Sequence, residues 1–206
     1  MERRSLLRAD PGKPSHLHAP GGCELALERP PPDPDEAAAV AIVAYFRSYG
    51  PATIDAFRNW LAGGWFGKRQ LRTWFRGLEH LFVPVEVDGE PAHVLAEDLD
   101  ELASTPPTTV VRLLPGFDQY VLGPGTGDGR VVPTSRRAAV SRQSGWISPV
   151  VVVGGVVCGT WELDADNVRV AWFGDAGRPP RNALRAEVTR LSSILARDLR
   201  PEIGIV

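Results

Sequence analysis

The apolar pattern of the chain changes near residue 105, and this change restricts the fold more than any other feature of the sequence. Before it, three segments have the apolar spacing and the end signals of helices. After it, β-branched runs separated by glycine, proline and aspartate are typical of short strands. The 206 residues, 43 % of them hydrophobic, suffice for two small cores. We therefore expect an α+β protein with a helical module, residues 35–104, and a strand-rich module, residues 105–206.

Three helices are predicted in the first half. The first begins at Asp35 in an alanine-rich run and ends before Gly50-Pro51. Thr53 is placed to cap a second helix over residues 54–62, and a third helix is predicted over residues 65–81. At 100° per residue the third helix has two arcs. The apolar arc comprises Leu71, Trp74, Phe75 and Leu78, and the cationic arc comprises Lys68, Arg69, Arg72 and Arg76.

A hairpin is predicted directly after these helices. Two strand-like runs flank Asp88-Gly89, whose glycine accepts the positive φ of a tight turn. Three helices and a hairpin are the order of a winged helix-turn-helix, in which the third helix can enter the major groove of DNA. Residues 80–104, however, hold seven acids and no Lys or Arg. Phosphates would repel this wing, so we expect it to face away from nucleic acid or to contact protein.

The second half predicts a small antiparallel β-barrel or a strongly curled sheet, followed by a helix. Strand-like runs are predicted at residues 108–115, 130–134, 136–142, 147–155, 156–164 and 167–174, with a hairpin turn at Gly154-Gly155. The last element has Pro179-Pro180 before its first turn and Leu184, Val188, Leu191 and Leu195 on one face. It is predicted to be an amphipathic helix that packs on the barrel.

Residues 1–34 are predicted to be a leader or the remnant of a preceding module. They hold seven of the 19 prolines and no periodic pattern, which favours extended or disordered chain. No apolar run is long enough for a signal peptide or a membrane span, so we expect a cytoplasmic protein without a membrane partner. Cys23 and Cys158 have no metal-ligand spacing and are expected to be unpaired thiols.

The corner after Pro115-Gly116 gathers polar side chains at the edge of the predicted barrel. A carboxylate or amide held beside a cavity can act in general acid–base chemistry, and Asp118, Gln119 and Tyr120 are the local candidates. Trp65 and Trp146 each lie beside a glycine at an element boundary and are expected to be exposed, and Trp146 could stack on a base extruded from a duplex. The alternative, which we favour, is that Asp118 caps the turn. We therefore assign no catalytic residue.

A second cationic patch lies in the strand-rich module. No acid occurs between Asp128 and Glu162, and this interval contains Arg130, Arg136, Arg137 and Arg142. Together with the third helix, Arg136, Arg137 and Arg142 could straddle a phosphate backbone, although exposed arginines are often merely solvated. The scattered histidines, and a glycine-rich segment at 123–130 without a P-loop lysine, predict no metal site and no cofactor.

Four segments together resemble one protein family. They are "YFRSYGPATIDAFRNWL", "VEVDGEPAHVLAEDLDEL", "LLPGFDQYVLG" and "GWISPVVVVGGVVCGTWEL". They are similar, in order and over about residues 37–195, to the winged-helix DNA-binding proteins related to the AlkZ DNA glycosylase. The resemblance implies tandem winged helices and a C-terminal β-barrel around damaged duplex DNA. It also implies alkylated or crosslinked purines as the substrates of enzymatic members.

One departure from this family concerns catalysis. Enzymatic members are expected to carry glutamine, an apolar residue and then glutamine or aspartate in an N-terminal winged helix, and this chain begins where that region should have ended. Its only glutamines, Gln70, Gln119 and Gln143, do not form the motif. The resemblance is thus to the C-terminal part of the family, and we expect a duplex-DNA binder that lacks the catalytic motif.

Two other functions stay open. The chain could be a fragment or subunit of a glycosylase, completed by a partner protein that supplies the missing N-terminal winged-helix modules. It could also be a protein-interaction module that uses the acidic wing and the C-terminal helix.

Overall fold

The computed structural model describes residues 8–9, 16–18, 24–26, 32–63 and 67–206. It divides into two compact units, Met1–Ala44 and Tyr45–Val206, with the boundary inside helix α1 (Pro34–Tyr49). The predicted domain boundaries after residues 34 and 104 stay predictions. In the first unit, three short strands form an antiparallel sheet in the order β1-β2-β3, a pairing that we did not predict. They are β1 (Arg8–Ala9), β2 (His16–His18) and β3 (Glu24–Ala26).

The first two predicted helices begin and end close to their predicted signals. At the start of α1, the Asp33 carboxylate accepts a hydrogen bond from the Asp35 N–H at 2.9 Å. Thr53 caps α2 (Ile54–Ala62) by accepting from the Ala56 N–H at 3.0 Å, and Gly63 ends that helix at φ 56°. Helix α3 (Lys68–Gly77) is shorter than the predicted range, since a 3₁₀ turn follows at Glu79–Leu81.

The hairpin consists of β4 (Phe82–Val87) and β5 (Glu90–Leu95), and the predicted turn at Asp88-Gly89 is confirmed by φ values of 53° and 82°. A short helix, α4 (Leu99–Ser104), follows. Edge-to-face rings form the core here: Phe46 contacts Phe75 at 5.4 Å and Phe82 at 4.9 Å between ring centroids. This packing joins the end of α1 to α3 and to the hairpin.

The strand-rich part contains one five-stranded sheet in the order β10-β9-β8-β7-β6. Its strands are β6 (Val111–Leu114), β7 (Val150–Val153), β8 (Val156–Asp164), β9 (Asn167–Trp172) and β10 (Arg200–Ile205). Neighbours are antiparallel except β9 and β10, which are parallel. The turn at Gly154-Gly155 is confirmed, with φ values of 56° and 89°.

Two predicted strands are instead turns and helices. Val131 and Val132 donate back to the Asp128 carbonyl in a turn, and Pro133 has no N–H to offer a strand. The alanine-containing run that follows forms one helical turn, α6 (Arg137–Val140). This turn places Val140 in the apolar core beside the sheet. The corner itself forms α5 (Gln119–Leu122).

The predicted barrel is wrong, since the sheet is open with β6 and β10 at its two edges. Helix α7 (Arg181–Leu195) crosses one face, where Leu184 and Val188 pack with Val168 and Val170. Apolar residues of the segment between β6 and β7 cover part of the other face, so that a core forms on both sides of the sheet without closure. Among the described residues, no helix is both long and apolar enough to cross a bilayer.

One glycine marks a close approach between the glycine-rich loop and α1. A Cβ atom at Gly123 would lie 2.0 Å from Cε1 of the Tyr49 ring, well inside van der Waals contact. Gly123→Ala should therefore lower the free energy of unfolding by about 1–3 kcal/mol. Gly127→Ala is the matched control, because nothing lies within 4 Å of its Cβ position and its φ is not positive. Urea denaturation measures both, and equal midpoints would contradict the close approach.

Candidate nucleic-acid interface

Helix α3 presents a cationic face to solvent. Leu71 and Phe75, 1 % and 7 % exposed, anchor its opposite side, so the predicted apolar arc is confirmed at these positions. The four cationic residues Lys68, Arg69, Arg72 and Arg76 are all exposed. Lys68 Nζ lies 3.7 Å from the Asp55 carboxylate. In the part of the chain that the structure describes, no carboxylate lies within 4.0 Å of the other three.

A cleft of about 810 Å³ lies between α2, the hairpin tip and the glycine-rich loop at 123–130, and we term it the loop cleft. Trp60, Arg130 and Arg137 line it. Asp55, the ion-pair partner of Lys68, also lines it, which places Lys68 at its edge.

Acidic groups neutralise part of the loop cleft. Arg130 forms a bidentate pair with Asp128 at 2.7 and 2.9 Å. These hydrogen bonds lower the pKa of Asp128, although partial burial acts in the opposite direction. Asp128, and more weakly Asp88, raise the pKa of Arg130. Arg137 is exposed and has no ion pair among the described residues, so it is the cation of this cleft that can reach a phosphate.

Arg136 differs from the other predicted arginines. Its side chain is only 11 % exposed, and its Nε donates to Asp175 at 3.0 Å. Its Nη1 donates to the Val157 carbonyl at 2.7 Å. Arg136 therefore ties α6 and its flanking turn to β8, and its guanidinium is largely taken up by partners within the protein.

Arg142 and Trp146 line a second cleft, of about 970 Å³, on the face of β8, β9 and β10 opposite α7; we term it the sheet cleft. Trp146 is 53 % exposed, as predicted. Trp65, the other tryptophan expected to be exposed, lies outside the described residues. Trp60 is 39 % exposed, which we did not predict from the sequence. The amphipathic pattern of α2, whose buried side carries Phe57, could have indicated this exposure.

The corner residues hold the chain in place and do not form one cavity with Trp146. Asp118 caps α5 by accepting from the Tyr120 N–H at 2.8 Å, so the favoured interpretation is confirmed. The Tyr120 hydroxyl donates to the Gly155 carbonyl at 2.7 Å, which fastens the corner to the β7–β8 turn. Gln119 accepts from the Tyr49 hydroxyl at 3.5 Å. Asp118 thus has a structural partner for its carboxylate.

Comparison with known proteins identifies the family. The sequence model of the family described as "DNA glycosylase AlkZ-like" matches residues 3–194. The chain belongs to the AlkZ-like DNA glycosylase family. An AlkZ-like relative, the interstrand DNA cross-link repair glycosylase of Streptomyces sahachiroi, is 47 % identical over 161 residues, which are 78 % of this chain and 43 % of that protein.

The fold agrees with that of a solved AlkZ structure. The DNA glycosylase AlkZ of Streptomyces sahachiroi superposes with a TM-score of 0.82 at 44 % identity, over 86 % of this chain and 48 % of AlkZ. The chain therefore spans about half the length of the AlkZ proteins that it matches. Family membership confirms the resemblance deduced from the four sequence segments.

Proposed function

We propose that this chain binds duplex DNA and corresponds to the DNA-binding part of an AlkZ-like glycosylase. The observation that carries the proposal is the exposed face of α3, where Arg69, Arg72 and Arg76 have no carboxylate within 4.0 Å among the described residues. Guanidinium groups that are not neutralised within the protein can replace the counterions of DNA phosphates. The family match supports this choice, because DNA is the substrate that the family description names.

The duplex would contact α3 and continue across the rim of the loop cleft. The Lys68–Asp55 pair joins these two surfaces, and Arg137 adds an exposed cation on the far side of the cleft. In this arrangement the helices and hairpin act as a winged helix with α3 in the major groove. Asp88 and Glu90 of the hairpin line the loop cleft, so the phosphates would follow α3 and Arg137 and not the hairpin.

A second candidate function is base excision by a larger assembly. The relative is a glycosylase, and this chain matches 43 % of it, so a partner could supply the remaining winged-helix modules. In that case the present chain would hold the DNA while residues of the partner activate water.

The two candidates are separated by assaying the same sample for binding and for base release. Fluorescence anisotropy with a labelled duplex should give salt-dependent affinity, and incubation with alkylated duplex should release no base. Base release by the purified chain alone would place the water-activating residues in this chain and overturn the first proposal, whereas base release that requires an added bacterial extract would support the second. Absence of duplex binding at low salt would exclude both and favour a protein-interaction module.

A further inference from the structure

Two aromatic rings stand together on the surface beside the sheet cleft. Phe117 is 44 % exposed and Trp146 is 53 % exposed. Their ring centroids are 5.2 Å apart at an interplanar angle of 86°, which is an edge-to-face pair. Large aromatic side chains exposed as a contiguous patch mark binding sites more often than isolated ones do.

The backbone beneath both rings is in unfavourable conformations. Phe117 has φ 63°, a value that a bulky residue rarely adopts, and Ser144 and Gly145, directly before Trp146, have φ 61° and 75°. Each such non-glycine residue costs roughly 1 kcal/mol or more, and residues of this kind cluster at functional sites. The turns therefore hold the rings outward at an energetic cost.

The two turns are also fixed against each other. A Cβ atom at Gly116 would lie 2.8 Å from the Ile147 carbonyl oxygen, so only glycine permits this approach. Ser141 pairs with Ile147, and the Arg142 N–H donates to the Trp146 carbonyl at 2.8 Å, which makes residues 141–147 a small hairpin. Ile147 is 7 % exposed and anchors it. The aromatic pair is thus preorganised before any ligand arrives.

Arg142 supplies a cation next to this pair. It lies across the small hairpin from Trp146, lines the same cleft, and has no ion pair among the described residues. The other arginine of the cleft, Arg169, is neutralised by Glu162, Asp164 and Glu202 at 2.8–3.6 Å. The end of the cleft near Trp146 therefore combines an exposed aromatic surface with one available positive charge.

We infer that Trp146, Phe117 and Arg142 form a binding site for one unpaired nucleobase of DNA. The base stacks on the indole of Trp146 with Phe117 along its edge, and Arg142 contacts the adjoining phosphate. The site rests on the proposed DNA binding and deepens it: α3 holds paired duplex, and this second surface recognises a base that has left the stack. Every nucleobase has a stacking face, so the site is expected to accept purines and pyrimidines.

The test compares a fully paired duplex with the same duplex carrying one bulged base, using fluorescence anisotropy. Wild-type protein should bind the bulged duplex more tightly. Trp146→Ala should weaken binding to the bulged duplex by about tenfold and leave binding to the paired duplex within about twofold. Trp146→Phe should retain most of the preference because it keeps an aromatic ring. Arg142→Gln should reduce binding to the bulged duplex and its salt dependence.

Ile194→Ala is the matched control, since it truncates another apolar side chain that is 62 % exposed, on α7. It should leave both affinities unchanged. If Trp146→Ala changes the affinities for the bulged and the paired duplex by the same factor, the base site is overturned. The proposed duplex binding is not affected by that result. If paired duplex does not bind at all, the proposed function fails, and a short single-stranded oligonucleotide then tests the base site alone; no difference between wild type and Trp146→Ala there would overturn it.

Discussion

Reversing the charges of Arg72 and Arg76 together (R72E and R76E) is expected to weaken duplex-DNA binding by roughly ten- to a hundredfold at low salt. Both side chains project from the exposed face of α3, one turn apart, while Leu71 and Phe75 hold the helix from the other side. Removing one phosphate-binding cation should also reduce the slope of log K against log salt concentration by about 1, so the double variant should show a reduction of about 2. A salt titration of anisotropy measures both quantities.

The matched control is Arg181→Glu with Arg185→Glu. These arginines are also exposed and one turn apart, on α7, so the change in net charge is identical. If α3 contacts DNA, the control should shift affinity only through the long-range field of the protein, which salt screens. Equal reductions of affinity in the two double variants, or an unchanged salt slope for the α3 variant, would remove this helix from the interface.

Local elements were predictable because their signals lie within a few residues. The Thr53 cap, the Gly63 end of α2 and the turn at Asp88-Gly89 all follow from side-chain hydrogen bonds or from the tolerance of glycine for positive φ. Closure of the sheet was not predictable in this way. It depends on pairing between strands distant in sequence, and β10 joins the sheet parallel to β9 only after α7 has crossed it.

The candidate site shows the same division. The two arcs of α3 follow from helical periodicity, whereas the run of arginines between Asp128 and Glu162 gave no reason to separate Arg136 from Arg137 and Arg142. That separation arises because Asp175 and the Val157 carbonyl, 39 and 21 residues away, take up the Arg136 guanidinium. Likewise, "GFDQY" indicated a capped corner, but nothing in it indicated that Phe117 would stand against Trp146.

The buried carboxylate of Glu187 is expected to stabilise the folded state of the strand-rich part through its hydrogen bonds. Its side chain is only 3 % exposed and accepts two hydrogen bonds from Arg190 at 2.7 Å each. It also accepts from the Leu113 N–H at 3.1 Å. Since β6 is an edge strand, this N–H would otherwise be buried without a partner. Glu187 thus fastens α7 to the edge of the sheet.

Glu187→Gln should lower the free energy of unfolding by about 2 kcal/mol, which corresponds to roughly 4–8 °C in Tm for a chain of this size. Burial alone would raise the pKa of Glu187, but hydrogen bonds from Arg190 and Leu113 lower it overall. Since the folded pKa lies below the unfolded value, the stabilisation is complete above about pH 4.5 and is lost as the pH falls through the folded pKa. The difference in Tm between wild type and Glu187→Gln should therefore become smaller below pH 4.5.

Glu162→Gln is the control for this removal of charge, because Glu162 is exposed and lies 3.6 Å from Arg169, which has two further carboxylate partners. An exposed pair of this kind contributes about 0–1 kcal/mol, so its melting temperature should stay near that of wild type. Thermal melts of both variants at pH 7 and pH 4 give the comparison. If Glu187→Gln has the same melting temperature as Glu162→Gln at both pH values, the negative charge of Glu187 does not stabilise the packing of α7 on β6.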